Sequence, residues 1–476
     1  MKYFNDMNLK YWIAAFVLSG SLFASCSDDI VVGKVDESRY ETGDGSVMGY
    51  ISDSFGKRMF SNVDFRSTGD ISFYLRTTAK LGAAATVAVS YDETVLKDYN
   101  AENGTAYEAF PQSEVTLEND GTINLPVGIA QSPGMKISFV SDGSLSSDKD
   151  YVIPLRMKVT SGDFKLAEQD QTRLIFVKDL TGIPDCTKYV DGQPGVKVFS
   201  CMEVNDANPL GNLSFTLKSN GKPLFDALIL FSANINYDPE TGRVYVFNNE
   251  NVQAILDHRD HYLKPLQDRG IKIILGIMGN HDRSGVANLS DETAKDFAKE
   301  VKAMCDAYHL DGIFVDDEYS SYEYSNITPG FVYPGKDPAA RLCYEVKKAQ
   351  PDRWIVVYAY STTSSLPSVD GVQSGEFVDY ALEDYGVASD LTSSFPGMPK
   401  SNMGQYSQEF YQGRTATEAN LRKMRDNGYL SHMIFSLDPN RANFESVQLP
   451  AMQRVASAFY DDELVFDGVK YPKDWN

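Results

Sequence analysis

The spacing of apolar residues changes character partway along the chain. From about 45 to 179, short apolar runs such as Ile71-Ser72-Phe73-Tyr74-Leu75 and Thr86-Val87-Ala88-Val89 lie between turn clusters such as Glu102-Asn103-Gly104 and Asp142-Gly143-Ser144. No long helical period interrupts them. Short strands at that spacing predict an antiparallel β-sandwich over 45–180.

Residues 180–187, with Gly182 and Pro184, read as a boundary. Beyond it, apolar strand-like runs alternate with helical segments. The strands are expected at Val196–Glu203, Ala227–Ala233, Ile271–Met278, Gly312–Asp316, Trp354–Tyr360, Phe377–Leu382, Met403–Tyr406 and His432–Leu437. The clearest helix begins at an N-cap of Ser290 or Asp291. It carries Phe297, Val301, Met304, Cys305 and Tyr308 on one stripe, which reads as core. Eight buried strands with intervening helices over 187–476 predict an α/β fold, a (β/α)8 TIM barrel, and so a multidomain protein.

Composition adds compartment and partners. The chain has 476 residues and a formal net charge of −22, which disfavours phosphate backbones and argues against nucleic acid as a partner. Residues 1–25 read as an export signal: Lys2 and Lys10 flank a polar start, and an apolar stretch follows from Tyr11 to Ala24, too short to span a bilayer. It ends in Leu22-Phe23-Ala24-Ser25-Cys26, which resembles a bacterial lipobox with Cys26 as the lipidated residue; the plainer reading is a cleaved signal with an incidental cysteine. The acidic Ser27-Asp28-Asp29 that follows resembles a surface-export signal of Gram-negative glycan degraders. Residues 26–44 would be a tether. The expectation is an outer-membrane lipoprotein facing outward, held to the membrane through Cys26. Cys186, Cys201, Cys305 and Cys343 have no CxxC spacing and read as buried thiols. His258 and His261 sit at helical spacing, but among neighbours of a solvated face. No metal or cofactor is expected.

The chemistry is concentrated in Leu310-Asp311-Gly312-Ile313-Phe314-Val315-Asp316-Asp317-Glu318-Tyr319. An apolar strand here ends in three acids, at the end of a barrel strand where active sites lie. Side chains two apart share a strand face, so Asp316 and Glu318 should point together and Asp317 away. Close carboxylates cannot both ionise easily, so one keeps its proton near neutrality, as a general acid requires. Three acids alone are equally a solvated strand cap; the barrel context separates the two readings.

Asp-Gly-x-x-x-Asp-x-Glu at a fourth strand resembles glycoside hydrolase family 18. The order of Glu203-Val204-Asn205, Ala233-Asn234-Ile235-Asn236-Tyr237-Asp238, Asn249-Glu250-Asn251-Val252-Gln253, Met278-Gly279-Asn280-His281, Asp316-Asp317-Glu318-Tyr319, Asp379-Tyr380-Ala381 and Ser436-Leu437-Asp438 is similar to bacterial endo-β-N-acetylglucosaminidases of the H and F types. The resemblance covers roughly 195–445. It departs at Phe314, where many members carry an Asp that helps share the proton. Asp98-Tyr99-Asn100, Gly104-Thr105-Ala106-Tyr107 and Tyr151-Val152-Ile153-Pro154-Leu155 resemble a sandwich domain found ahead of surface glycan-processing proteins.

The resemblance implies cleavage between the two core GlcNAc residues of N-glycans on glycoproteins, with high-mannose glycans favoured. It implies a substrate-assisted, retaining mechanism in which no enzyme carboxylate attacks carbon. Glu318 would protonate the leaving oxygen, Asp316 would orient the substrate acetamido group, and Tyr380 would hydrogen-bond its oxygen. Asn280, His281, Tyr358, Tyr360 and Gln405 are further candidates for holding sugar, against packing or loop hydrogen bonding. Two rivals remain. A chitinase would commonly stack sugars on Trp at strand eight, which here ends Phe435-Ser436-Leu437-Asp438-Pro439. A glycan-binding protein with a dead barrel would lack the Glu318 equivalent.

Overall fold

The computed structural model describes residues 46–475, apart from 142, 144, 147, 148 and 387. The signal 1–25, Cys26 and the tether 26–44 lie outside the described residues. Met48–Asn476 form one compact unit. No helix among the described residues is long and apolar enough to cross a membrane.

The N-terminal part is β-rich. One sheet runs Lys165–Leu166, Met48–Asp53, Thr68–Thr77, Met135–Val140, Val115–Leu117; the second runs Ser61–Phe65, Thr172–Asp179, Tyr151–Ser161, Ala85–Tyr91, Thr122–Leu125. Ile71, Phe73 and Leu75 are buried at every second position, as are Ala85, Val87 and Val89. The Phe65 ring of one sheet meets Phe139 of the other at 5.2 Å. The expectation of purely antiparallel pairing fails at Met48–Gly49 with Lys165–Leu166, and at Ser61–Phe65 with Ile175–Asp179, which run parallel. Neighbours joined by short turns must reverse direction, but these partners lie more than a hundred residues apart and are free of that constraint. An unexpected helix spans Glu93–Asn103, capped by the Asp92 side chain and ended by Gly104 at φ 63°. Only Val95 and Leu96 of it are buried, too short a stripe to register as a helical period.

The second part holds a parallel sheet: β1 (Lys197–Glu203), β2 (Ala227–Asp238), β3 (Lys272–Met278), β4 (Gly312–Val315), β5 (Trp354–Ala359), β6 (Tyr380–Glu383), β7 in two pieces (Met403–Gly404 and Gln408–Glu409) and β8 (Ser431–Phe435). Each strand pairs in parallel with the next in sequence, except where β7 breaks: its first piece pairs with β6 and its second with β8. β8 returns to pair with β1. This closed order is compatible with the predicted barrel. Phe199, Ile229, Ile274, Phe314, Val356, Leu382 and Met433 form one buried cluster from alternate positions of seven strands. β2 overshoots its expected end and folds back against Arg243–Phe247. Phe377, expected to begin strand six, instead ends a helical turn, Ser374–Phe377, and β6 starts at Tyr380. The expected helix spans Asp291–Tyr308, with the Ser290 side chain accepting from the Thr293 backbone N–H.

Charges inside the molecule tie the β-rich part to the parallel sheet. Asp379, just before β6, accepts from Lys57 Nζ at 2.9 Å, Lys347 Nζ at 2.8 Å and the Ile355 N–H at 2.9 Å. Asp379 and Lys347 are 7% and 1% exposed. Burial disfavours the Asp379 anion, but the two ammonium groups and the backbone N–H outweigh it and hold its pKa low. Asp379→Asn leaves the buried Lys347 and the partly buried Lys57 short of a counter-charge and should cost about 3–5 kcal/mol of stability, measured by urea unfolding at neutral pH. Because the folded pKa is depressed, the wild-type contribution is present above the unfolded carboxylate value near 4 and is lost as pH falls through the folded value. The variant should lose that part of the acid-side slope.

Candidate active site

β4 is short and fixed at both ends. Before it, Asp311 accepts from the Ile273 N–H at 2.9 Å and pairs with Lys178 at 3.2 Å. Burial opposes its ionisation, yet Lys178 and Lys272 bring its pKa down to about 2. Gly312 is required by close approach: a Cβ there would lie 2.2 Å from the Trp354 carbonyl oxygen. After β4 the chain stays extended through Asp316, whose N–H donates to Ile277 O at 3.1 Å.

The ends of β3 and β4 are then locked together. The Gly279 N–H donates to Glu318 O at 3.0 Å, and the His281 N–H donates to Tyr319 O at 2.6 Å. A side chain at 279 would strike Ser320 Oγ at 2.3 Å and Glu318 O at 2.5 Å. His281 and Tyr319 both take left-handed backbone, at φ 59° and 56°, and their rings meet at 5.4 Å.

These ends border a cavity of about 470 Å³. Asp316, Glu318, Asn280, His281 and Tyr358 all line it. Asp317 faces elsewhere: its carboxylate accepts from Tyr322 Oη, from Ser361 Oγ at 3.0 Å and from Thr362 Oγ1 at 2.5 Å. It thereby anchors the loop after β5. Asn280 donates to Asn236 Oδ1 at 3.1 Å. Tyr358 donates its hydroxyl to Asp384, and Tyr360, 40% exposed, stacks on Tyr358 at 5.6 Å without lining the cavity.

Besides Tyr360, two further candidates are not brought to the cavity. Tyr380 is the first residue of β6, at the end of the sheet away from the strand C-termini. It is 7% exposed, against Trp354 at 4.8 Å and Phe199 at 5.2 Å. The period of two aims it inward, but at the wrong height. Gln405 lies in the break of β7 and does not line the cavity. Several lining residues carried no assigned role in the sequence: Glu203 at the end of β1, Asn205 just after it, Asn234, Asn249, Tyr385 and Gln412. Tyr385 had a usable signal, because Glu383-Asp384-Tyr385 repeats at the end of β6 the acid-then-aromatic order of Asp317-Glu318-Tyr319.

Asp316 is 2% exposed, and its Oδ1 has no hydrogen-bond partner among the described residues. Burial first, then Glu318, push its pKa well up. Burial and then Asp384 also raise Glu318, while the hydrogen bond from Asp316 works the other way. Both carboxyls are therefore shifted toward holding a proton, the buried Asp316 the further of the two. Beneath it, Phe314 contributes an apolar floor and no carboxylate. Among the described residues, no group of three or more His, Cys, Asp or Glu is arranged to hold a metal ion.

A family model described as "-like, N-terminal domain" matches residues 46–163. Endo-beta-N-acetylglucosaminidase F1 of Elizabethkingia meningoseptica is 57% identical over 284 residues, covering 59% of this chain and 83% of that protein. An endo-beta-N-acetylglucosaminidase of a Flavobacterium species is 34% identical over 260 residues, covering 54% of this chain and 79% of that protein. The crystal structure of Bacteroides thetaiotamicron EndoBT-3987 with a Man5GlcNAc product superposes with a TM-score of 0.81 at 33% identity, covering 90% of this chain and 98% of that one. The same enzyme with a Man9GlcNAc2Asn substrate gives a TM-score of 0.75 at 32% identity, with the same coverage.

Proposed function

The chain belongs to the endo-β-N-acetylglucosaminidases, and from that membership we propose that it hydrolyses the GlcNAc-β-1,4-GlcNAc bond in the core of N-linked glycans, high-mannose glycans above all. The observation that carries this reading is that Asp316 and Glu318 both line one open cavity at the strand ends. The relative solved with mannose-containing ligands supports the choice of glycan. The closed strand order supports a (β/α)8 barrel of the family 18 kind over 187–476, and the two facing sheets support a β-sandwich over 45–180.

The chemistry follows from two carboxyls that both tend to keep a proton. A GlcNAc bound with its acetamido N–H at Asp316 supplies the hydrogen bond that Oδ1 lacks and favours the Asp316 anion. Glu318 then carries the proton of the pair. Glu318 gives it to the glycosidic oxygen as the C–O bond breaks, while the acetamido carbonyl oxygen attacks the anomeric carbon and forms an oxazolinium. Asp316 balances its charge. Glu318, now a carboxylate, takes a proton from water, which opens the ring with net retention. Holding the nucleophile within the substrate supplies a large effective molarity. Tyr385, which lines the cavity, takes the role at the acetamido oxygen that Tyr380 cannot reach.

Incubation with a mannose-rich and a complex-type glycoprotein, followed by mass spectrometry, tests this reading. The mannose-rich glycoprotein should keep one GlcNAc on each cleaved Asn. Release of the whole glycan from Asn, or no cleavage of either substrate, would overturn it. We also propose an outer-membrane anchor at Cys26, supported by the lipobox-like sequence before it. Cys26→Ala should move the active protein to the soluble fraction; a variant still found in outer membranes counts against the anchor.

A further inference from the structure

A line of hydrogen bonds leads from an exposed segment into the cavity. Residues 471–475 lie across the loops that follow β1 and β8, pinned at several points. Asn440 Nδ2 donates to Tyr471 O at 2.9 Å, Asn208 Nδ2 to Pro472 O at 2.9 Å, and Tyr262 Oη to Asp474 Oδ1 at 2.8 Å. Lys473 Nζ donates to Asn205 O at 3.1 Å. At the segment's end, the Trp475 indole N–H donates to Asn251 Oδ1 at 3.1 Å. Asn251 Nδ2 donates to Asn205 Oδ1 at 2.8 Å, and Asn205 Nδ2 donates to Glu203 Oε1 at 2.6 Å. Glu203 and Asn205 line the cavity that holds Asp316 and Glu318.

The direction of this relay is forced. An indole N–H only donates, so Asn251 must turn its oxygen to Trp475 and its NH2 to Asn205. Asn205 must then present its oxygen to Asn251 and its NH2 to Glu203. The position of Asn251 is itself fixed, because its backbone N–H is held at 3.0 Å by the helix cap Asn249. Glu203 Oε1 also accepts from the Asn205 backbone N–H at 3.3 Å. Its Oε2 takes no hydrogen bond from the described residues and is left for a ligand. A carboxylate held this way accepts from hydroxyl groups and donates to none. Neutral sugars offer hydroxyl donors.

We propose that Trp475 is a positioning residue which, through Asn251 and Asn205, fixes Glu203 as the acceptor of a glycan hydroxyl in the cleft. This rests on the endoglycosidase reading above and extends it to substrate recognition. Burial and Asp206 favour the protonated form of Glu203, and both N–H groups of Asn205 oppose them. Loss of the relay therefore raises the pH at which Glu203 becomes an acceptor.

The test uses the full chain with a high-mannose glycopeptide. Trp475→Phe keeps an aromatic ring beside Tyr262, now at 5.1 Å, but removes the N–H. It should raise KM about tenfold, the worth of one charge-assisted hydrogen bond, with kcat changed less than about twofold. The acid limb of its kcat/KM profile should move to higher pH. Asn251→Asp, which offers only acceptors, should turn the Asn205 amide round and give the same result with the indole in place. In a Glu203→Gln background, Trp475→Phe should add little, because the relay then ends on a neutral amide. Unchanged KM and pH profile in Trp475→Phe and Asn251→Asp would overturn the proposal. So would an equal effect of Trp475→Phe with and without Glu203. A wild-type enzyme that releases no glycan would instead count against the endoglycosidase reading itself.

Discussion

Glu318→Gln should release glycan about 10²–10⁴-fold more slowly than wild type, the usual worth of general acid catalysis. Gln keeps the shape of Glu and can still accept from Asp316, but it has no proton for the leaving oxygen. Folding should survive, because Glu318 is only partly buried and its contact with β3 runs through its backbone oxygen. The pH dependence gives a second check. The reaction needs one proton on the Asp316–Glu318 pair. Both groups are raised from their ordinary values, Asp316 well above, so the pair should hold a proton as pH rises past the usual carboxylate values and activity should fall on the alkaline side. In Glu318→Gln the pair no longer titrates as a unit, and that alkaline limb should vanish from the residual rate. Turnover near wild type, measured by mass spectrometry of released glycan, would remove Glu318 from the role of acid.

The joint placement of Asp316 and Glu318 at the cavity was legible because it depends on local geometry. A strand end with acids two apart needs only the period of two to put both on one face. Asp317 was legible for the same reason, although not its partners Ser361 and Thr362, which arrive from the loop after β5. Tyr380 shows where this reasoning stops. Periodicity gives the face of a strand, but height along the barrel axis depends on where the strand begins. The helical turn Ser374–Phe377 delays the start of β6 to Tyr380, so the side chain stays low, beside Trp354. Asp379 looked like part of the catalytic pattern and serves instead as counter-charge for Lys57 and Lys347. Lys57 lies more than three hundred residues away, and no local pattern announces such a partner. The relay from Trp475 to Glu203 is hidden similarly, since its four members come from three separate segments.

Asp316→Asn should abolish hydrolysis of glycoprotein yet retain the ability to join a preformed sugar oxazoline to a GlcNAc acceptor. In the proposed mechanism Asp316 acts on the step that makes the oxazolinium: it accepts the acetamido N–H and balances the charge that grows as the ring closes. Asn has the same shape without the charge. The loss should reach at least about 10²-fold, as for removal of a positioned electrostatic group from a water-poor site. Here the carboxyl is 2% exposed, so solvent screens it little. Supplying the oxazoline bypasses that step, and Glu318 still takes the proton from the acceptor hydroxyl. The product should then accumulate, because its hydrolysis must pass back through the step the variant performs badly. The opposite hypothesis, Asp316 as a covalent nucleophile, predicts a variant dead toward both substrates and a glycosyl adduct on Asp316 when wild type meets an activated fluorosugar. Trapping that adduct by peptide mass spectrometry would rule out substrate assistance, whereas product formation from the oxazoline by Asp316→Asn leaves the acetamido group as the nucleophile.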